Sequence, residues 1–260
     1  MALSATARPI AGAVATQGVS DRVTFLRKTY SILSVALIAF AAVTAGIINY
    51  APETSLRFSA WAFGGSLNWI AVIVMFMLVG WIAQKLAMSQ TSHGLQYIGL
   101  GVAVVAQAII LQPMIWVLMA RFGNHGIAQH GVITADLTGK AATILGEAVV
   151  ITLAIFVGLT ATVFITKKDF SFMRSALGMA TFAMLGIIIA SMVFGFQLGL
   201  LFLGFGILVM GGYILYQTSL VMSAFPACGY VAAALMLFST IATLFWYVLQ
   251  FLMEMNRSNR

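Results

Sequence analysis

The sequence predicts an all-α protein that crosses a membrane seven times, and two observations lead to this prediction. Of its 260 residues, 62% are apolar and 7% are charged, whereas a soluble protein carries about 25% charged residues. The stretch from Ser175 to Met253 contains no Asp, Glu, Lys or Arg. Because one helical span needs about 20 residues, this stretch alone has room for three crossings. The alternative, a soluble protein with a very large core, would need far more charge on its surface.

Charged segments set the boundaries of the first predicted helices. The seven expected helices cover about 29–50, 61–84, 95–120, 142–166, 174–195, 199–223 and 229–254. We expect a flexible polar tail at 1–28, the seven-helix domain at 29–254 and a short tail at 255–260. Glu53 and Arg57 predict a polar turn between the first two helices.

The later helices are bounded in the same way. Pro113 predicts a kink in the third helix, and a long polar loop follows at about 121–140. The run Thr166-Lys167-Lys168-Asp169 ends the fourth helix, and Pro226 lies in the turn before the last one. The number of spans is six instead of seven if one apolar segment enters and leaves on the same side.

Small residues at a spacing of four predict where neighbouring helices pack closely. Lipid provides no hydrophobic drive between helices, so interfaces within a membrane favour small side chains. Gly99-x-x-x-Ala103 and Gly186-x-x-x-Ala190 have this spacing.

Basic residues are distributed unevenly between the two expected sides. With the N-terminus inside, eight of the 13 Lys and Arg residues fall in inner segments and five in outer ones. Cytoplasmic loops gather Lys and Arg, so the N-terminus is predicted to be cytoplasmic. The net charge of +7 is then a property of these loops, and we expect no nucleic-acid partner.

Glu147 is the ionisable residue that falls inside a predicted span, and such residues are the first functional candidates in a membrane. It shares a helix face with Ile151, Ala154 and Gly158. One interpretation is a cation or proton site in the bundle. In the other, Glu147 lies near the headgroups, where the positive end of its helix favours a carboxylate.

Neutral polar residues are concentrated in the last two predicted helices. Gln217 and Thr218 lie in the sixth helix, and Ser239, Thr240 and Thr243 lie in the seventh. Such groups need hydrogen-bond partners in hydrocarbon and find them on neighbouring helices. They are candidates for structural contacts between helices or for the lining of a polar path.

Several classes of function lack their motifs. The sequence contains no His-Glu-x-x-His, Gly-x-Ser-x-Gly, phosphate-binding lysine loop or dinucleotide-binding glycine motif. His125, His130 and Asp136 match no strong zinc pattern, and the single cysteine, Cys228, cannot form an intrachain disulfide. We therefore expect no enzyme, no cofactor and no bound metal.

Three blocks resemble the Bax inhibitor/YccA family, also called the transmembrane Bax inhibitor motif family. Residues 157–173, VGLTATVFITKKDFSFM, contain the family's Thr-Lys-(Lys/Arg)-Asp-(Phe/Leu)-Ser turn. Residues 212–219, GYILYQTS, stand where the family usually has Tyr-Asp-Thr. Residues 233–250 resemble its closing Leu-Phe-x-x-x-Leu-(Gln/Arg) block. Most of 22–252 comes into register, and 50–145 match loosely.

The resemblance implies seven helices, with the last enclosed by two groups of three. It also implies a role in ion homeostasis and stress protection, with a pH-sensitive calcium leak in some members. Bacterial YccA-like members are associated with restraining a membrane-bound ATP-dependent protease. Together with the low cysteine content, the resemblance suggests a bacterial inner membrane.

The sequence departs from the family at the residues to which the leak is attributed. The family's two buried aspartates fall at Gln217 and Thr240. Two close carboxylates share a proton and so sense pH, whereas an amide and a hydroxyl do not titrate in that range. Two functions follow as alternatives: a cation (calcium) protein with Gln217, Thr240 and Glu147 as gate or pore contacts, or a non-conducting regulator of a membrane protease or another membrane partner.

Overall fold

The computed structural model describes residues 18–89, 93–123, 128–129, 132–133, 137–226 and 228–258. Within these ranges the chain forms eight helices: α1 Val19–Tyr50, α2 Pro52–Phe63, α3 Ser66–Ala87, α4 His93–Phe122, α5 Gly139–Thr166, α6 Met173–Phe194, α7 Leu200–Ser223 and α8 Tyr230–Ser258. A two-residue strand, β1 Ala128–Gln129, pairs antiparallel with β2 Val132–Ile133. All the helices except α2 are long and apolar enough to span a membrane, which gives seven candidate spans in the described residues. The all-α, multi-pass prediction is confirmed.

The first helix begins ten residues earlier than predicted, at Val19. Charge alone suggested a tail here, but Phe25 and Thr29 are buried against the bundle, whereas Arg27 and Lys28 are exposed. This spacing of four residues is that of one helical face. The segment is therefore an amphipathic extension of α1. Residues 1–17 of the predicted tail lie outside the described residues.

The polar turn predicted at Glu53 and Arg57 is a helix, α2. Pro52 lies in its first turn, a position that suits proline because the missing N–H needs no partner there. Ser55, Ser59 and Ala62 are buried on one face. The second predicted helix consequently begins at Ser66 rather than 61. The third, α4, continues as a helix through Pro113.

The helix α8 lies at the centre of the bundle. It packs against α1, α3, α4, α5 and α7, and it carries buried residues from Val231 to Met253. The ring of Phe238 is fully buried and meets Phe40 of α1 edge-on, at 5.8 Å between centroids. By contrast, α6 packs mainly on α7 and α3 and has few buried residues. A central last helix is the arrangement that the resemblance implied.

One of the two small-residue spacings marks a close helix contact. A Cβ atom at Gly99 would lie 2.6 Å from the carbonyl oxygen of Ala83 and 2.8 Å from the backbone nitrogen of Ala87. Only a residue without a side chain permits this approach of α3 to α4. Gly186 meets no atom of the described residues within 4 Å, so its spacing marks no contact there.

The alternation of the spans gives the bundle two ends. We call the end with Val19, Lys167 and Tyr230 the N-terminal face, and the end with Tyr50, Gln197 and Ser258 the C-terminal face. Contacts join the elements of each face. The Lys28 Nζ lies 5.4 Å from the ring centre of Tyr230, and the Arg257 Nη2 lies 3.5 Å from the Gln197 Oε1.

Candidate functional site

Gln217 and Thr240 meet where α7 packs on α8. The Thr240 hydroxyl donates a hydrogen bond of 2.8 Å to the Gln217 side-chain oxygen, and it also lies 3.2 Å from the carbonyl oxygen of Met236. Both side chains are buried, with 8% and 7% of their surface exposed. The two residues singled out from the sequence are therefore direct partners across two helices.

Helical spacing brings this pair into the apolar interior. Buried residues recur at intervals of three or four on α7 and on α8: Ile214, Gln217, Val221, Leu237, Thr240 and Leu244. Each polar side chain thus has apolar neighbours one turn before and one turn after it. An amide and a hydroxyl in such surroundings satisfy each other and carry no charge.

The other polar residues of α7 and α8 do not hydrogen-bond to this pair. Thr218 is fully buried, and its side chain lies beside Tyr30 of α1. Ser239 and Thr243 are half-buried, and the Thr243 hydroxyl donates to the Ser239 carbonyl oxygen at 2.8 Å. None of these three side chains forms a hydrogen bond between α7 and α8.

Glu147 does not belong to this site. Buried residues of α5 occur at Ile144, Ala148 and Thr152, so Glu147 falls on the opposite, exposed side of the helix. Ile151, Ala154 and Gly158, which share its face, are exposed too. This face is thus the outer surface of α5, and Glu147 lies outside the interior of the bundle.

The buried polar side chains of the described residues are all neutral. They are Thr29, Thr44, Ser55, Ser59, Gln96, Gln107, Gln112, Thr152, Thr160, Gln217, Thr218, Ser219 and Thr240. No group of three His, Cys, Asp or Glu residues in the described ranges could hold a metal ion. The loop residues His125, His130 and Asp136 lie outside these ranges.

A second buried network links α2 to α4. The Ser55 hydroxyl donates to the Gln112 side-chain oxygen at 2.9 Å and accepts from the Trp116 ring nitrogen at 2.8 Å. The Gln112 nitrogen donates to the Ala108 carbonyl oxygen at 2.9 Å. The network was not predicted, because Glu53 and Arg57 indicated a polar turn around Ser55. The spacing of Ser55, Ser59 and Ala62 was the available signal.

A cleft of about 400 Å³ with both charged and apolar walls opens on the C-terminal face. Arg121, Glu254 and Arg257 line it, and Arg257 pairs with Glu254 at 3.0 Å. Tyr247 lies on its wall and packs so closely on Gly206 that a Cβ atom there would lie 2.7 Å from the tyrosine ring. Tyr247 is two helical turns, about 10 Å, from Thr240 along α8.

Comparisons with known proteins agree with this geometry. The sequence profile of the family described as Inhibitor of apoptosis-promoting Bax1 matches residues 137–258, the segment with α5 to α8 and both members of the pair. The chain is also 29% identical over 247 residues to Bax inhibitor 1 of Schizosaccharomyces pombe, covering 92% of this chain and 80% of that protein. The chain is thus similar to members of the Bax inhibitor family.

Two further relatives match nearly the whole length of this chain. Protein lifeguard 4 of Mus musculus is 27% identical over 251 residues, which cover 94% of this chain and 90% of that protein. The Golgi anti-apoptotic protein of vaccinia virus is 26% identical over 250 residues, which cover 94% and 91%. The similarity therefore extends through the loosely matching first half.

Proposed function

We propose that this protein is a member of the Bax inhibitor family and a non-conducting membrane regulator of the stress- and death-protective type. It acts by binding another membrane protein. The names of two relatives, Bax inhibitor 1 and Golgi anti-apoptotic protein, support the protective class. A membrane-bound ATP-dependent protease is the partner we propose first, and a bacterial inner membrane with a cytoplasmic N-terminus is the proposed location.

The neutral centre of the bundle is the observation that supports this proposal. An acid-sensing gate needs a group whose charge changes with pH, and a buried carboxylate pair is one way to provide it. Here the Thr240 hydroxyl donates to the Gln217 amide oxygen, and the buried polar residues in the described ranges carry no charge. Neither member of this pair can switch between pH 6 and 8.

The peripheral helix α6 offers a surface for a membrane partner. Met179, Phe182, Val193 and Phe194 expose between 67% and 79% of their surface. Side chains of this size at a lipid-facing surface can pack against a helix of another protein without rearranging the bundle. The proposed regulator would bind its partner through this face.

Reconstitution and capture together test this proposal. Calcium-loaded liposomes with the purified full chain should leak no faster than empty liposomes between pH 6 and 8. Crosslinking in native membranes, followed by extraction in a mild detergent, should recover the membrane-bound protease. Replacing Phe182 and Phe194 by alanine should reduce its recovery, while replacing the exposed Val35 and Ile38 of α1 by alanine should not. Robust flux without a recovered partner would contradict the proposal.

A cation leak without a pH switch is the second candidate. The cleft on the C-terminal face supports it, because Gln250 provides an oxygen ligand there and Tyr247 lies two turns from Thr240. Glu254 and Gln197 provide further oxygen ligands if Arg257, which contacts both of them, moves away. In this case calcium flux should be measurable and should change little between pH 6 and 8, since the Gln217–Thr240 pair stays neutral. A steep titration of the flux would contradict both candidates.

A further inference from the structure

A small cleft on the N-terminal face concentrates positive charge. It has a volume of about 260 Å³ and lies between the start of α1, the end of α5 and the end of α7. Arg22 of α1 and Lys167 and Lys168 after α5 line it, together with the carboxylate Asp169. Three cations thus face one anion in a cleft at the ends of three membrane-spanning helices.

The turn after α5 fixes the positions of the two lysines. Lys167 ends the helix with a φ angle of 52°, in the left-handed region, and its backbone N–H donates to the Val163 carbonyl oxygen at 2.9 Å. A left-handed residue at this point reverses the chain. Lys167 and Lys168 are therefore held beside the end of α7.

The carboxylate of Asp169 forms no ion pair with these cations, and its single negative charge offsets only one of the three positive charges. It accepts hydrogen bonds from the Ser171 backbone N–H at 2.8 Å and from the Ser171 hydroxyl at 2.9 Å. The ion pairs found in the described part of the chain, Arg57 with Glu53 and Arg257 with Glu254, lie on the other face. Arg22, Lys167 and Lys168 have no ion-pair partner among the described residues.

The two serines of the cleft wall do not provide free donors. The Ser219 hydroxyl donates to the Tyr216 carbonyl oxygen at 2.9 Å, and the Ser223 hydroxyl donates to the Ser219 carbonyl oxygen at 2.8 Å. The three cations therefore provide the attraction for a ligand. They attract negatively charged groups at the depth of the lipid headgroups.

We propose that this cleft binds a phosphate ester, and specifically the phosphate of an anionic lipid headgroup. Basic pockets between spanning helices suit anionic headgroups because a guanidinium and ammonium groups match phosphate oxygens. The cleft lies directly beyond the last apolar residues of α5, so the acyl chains of the lipid can remain in the membrane. This proposal is independent of whether the protein conducts ions.

Titration of the purified full chain in detergent micelles tests the proposal. The probes are short-chain phosphatidylglycerol, short-chain phosphatidylcholine and inorganic phosphate, with binding measured by thermophoresis. The cleft variant carries Arg22→Gln, Lys167→Gln and Lys168→Gln. The control variant carries Arg27→Gln, Lys85→Gln and Arg174→Gln, which remove the same charge from the same face outside the cleft.

We expect phosphatidylglycerol to bind more tightly than phosphatidylcholine. The affinity for phosphatidylglycerol should fall about tenfold or more in the cleft variant and about threefold or less in the control variant. Binding of inorganic phosphate alone, lost in the cleft variant, would support the phosphate chemistry and reject the lipid. Equal losses in both variants, or none in the cleft variant, would overturn the proposal. A melting temperature near that of the wild type shows that the cleft variant is folded.

Discussion

At the scale of single residues, Gln217 and Thr240 join α7 to α8 through one neutral hydrogen bond. Their pairing could be predicted from the sequence because the family register placed both at the positions of interacting residues. The environment of Glu147 could not, because the sequence does not determine how α5 is rotated about its axis. A rotation by one residue, about 100°, moves a side chain from the bundle to its surface.

Introducing a carboxylate pair should make the protein sensitive to pH. In the double variant Gln217→Asp with Thr240→Asp, two acids in one apolar contact cannot both ionise cheaply, so the pKa of one of them should rise. Because this pKa is higher in the folded state, stability should be greatest at low pH and should fall as the pH rises through it. The melting temperature should decrease between about pH 5 and 8, and any calcium flux should vary with pH.

The matched control for that experiment is Gln217→Asn with Thr240→Ser. It keeps an amide and a hydroxyl and introduces no charge. Its melting temperature and flux should show the pH dependence of the wild type. If the aspartate variant shows a flat response as well, the two positions are not coupled as the hydrogen bond indicates.

At the scale of elements, the composition predicted the seven spans. The exact limits of the first helices and the structure of the segment between them depend on local geometry. Long apolar runs without charge are unambiguous, so the last five spans begin and end within four residues of their predicted limits. The segment 52–63 carries Pro52, Glu53 and Arg57 and therefore resembled a turn, although Pro52 suits the first turn of a helix. Its burial depends on the tertiary contact of Ser55 with Gln112 and Trp116, which a local reading of the sequence does not contain.

The contact of α3 with α4 at Gly99 should tolerate no side chain. In Gly99→Ala, the new methyl group would lie 2.6 Å from the Ala83 carbonyl oxygen, so the two helices must separate. We expect a destabilisation of about 1–3 kcal/mol, measured as a lower thermal or denaturant midpoint in micelles. In Gly101→Ala, on the same helix, the new methyl group meets no atom of the described residues within 4 Å. This change should not destabilise the protein and should raise its stability by up to about 1 kcal/mol, because alanine has the higher helix propensity. Equal effects of the two changes would show that helix propensity, not packing, dominates.

At the scale of the whole molecule, the seven spans alternate between two faces with different charge. Arg22, Lys28, Lys167 and Lys168 share the N-terminal face, whereas Arg257 lies on the C-terminal face. The grouping of bases by connectivity, predicted from the order of spans, is thus the grouping in the fold. Which face meets the cytoplasm depends on the charge bias alone, and it stays a prediction.

The single cysteine can test this orientation. Cys228 is exposed between α7 and α8, on the N-terminal face. With that face in the cytoplasm, a membrane-impermeant maleimide should label Cys228 in inverted membrane vesicles and not in intact cells. The variant Cys228→Ser with Ser258→Cys, on the C-terminal face, should give the reverse pattern. Labelling of Cys228 from outside intact cells would invert the predicted orientation.

The central position of α8 also governs how the protein is made. The ribosome synthesises α8 after the other six spans. Until α8 is inserted, the surfaces of those spans that pack on it have no partner in the bilayer. During that interval the nascent chain is exposed to membrane proteases and to wrong helix pairings. Slowing synthesis just before Tyr230 should therefore reduce the yield of mature protein more than an equal pause upstream of α2.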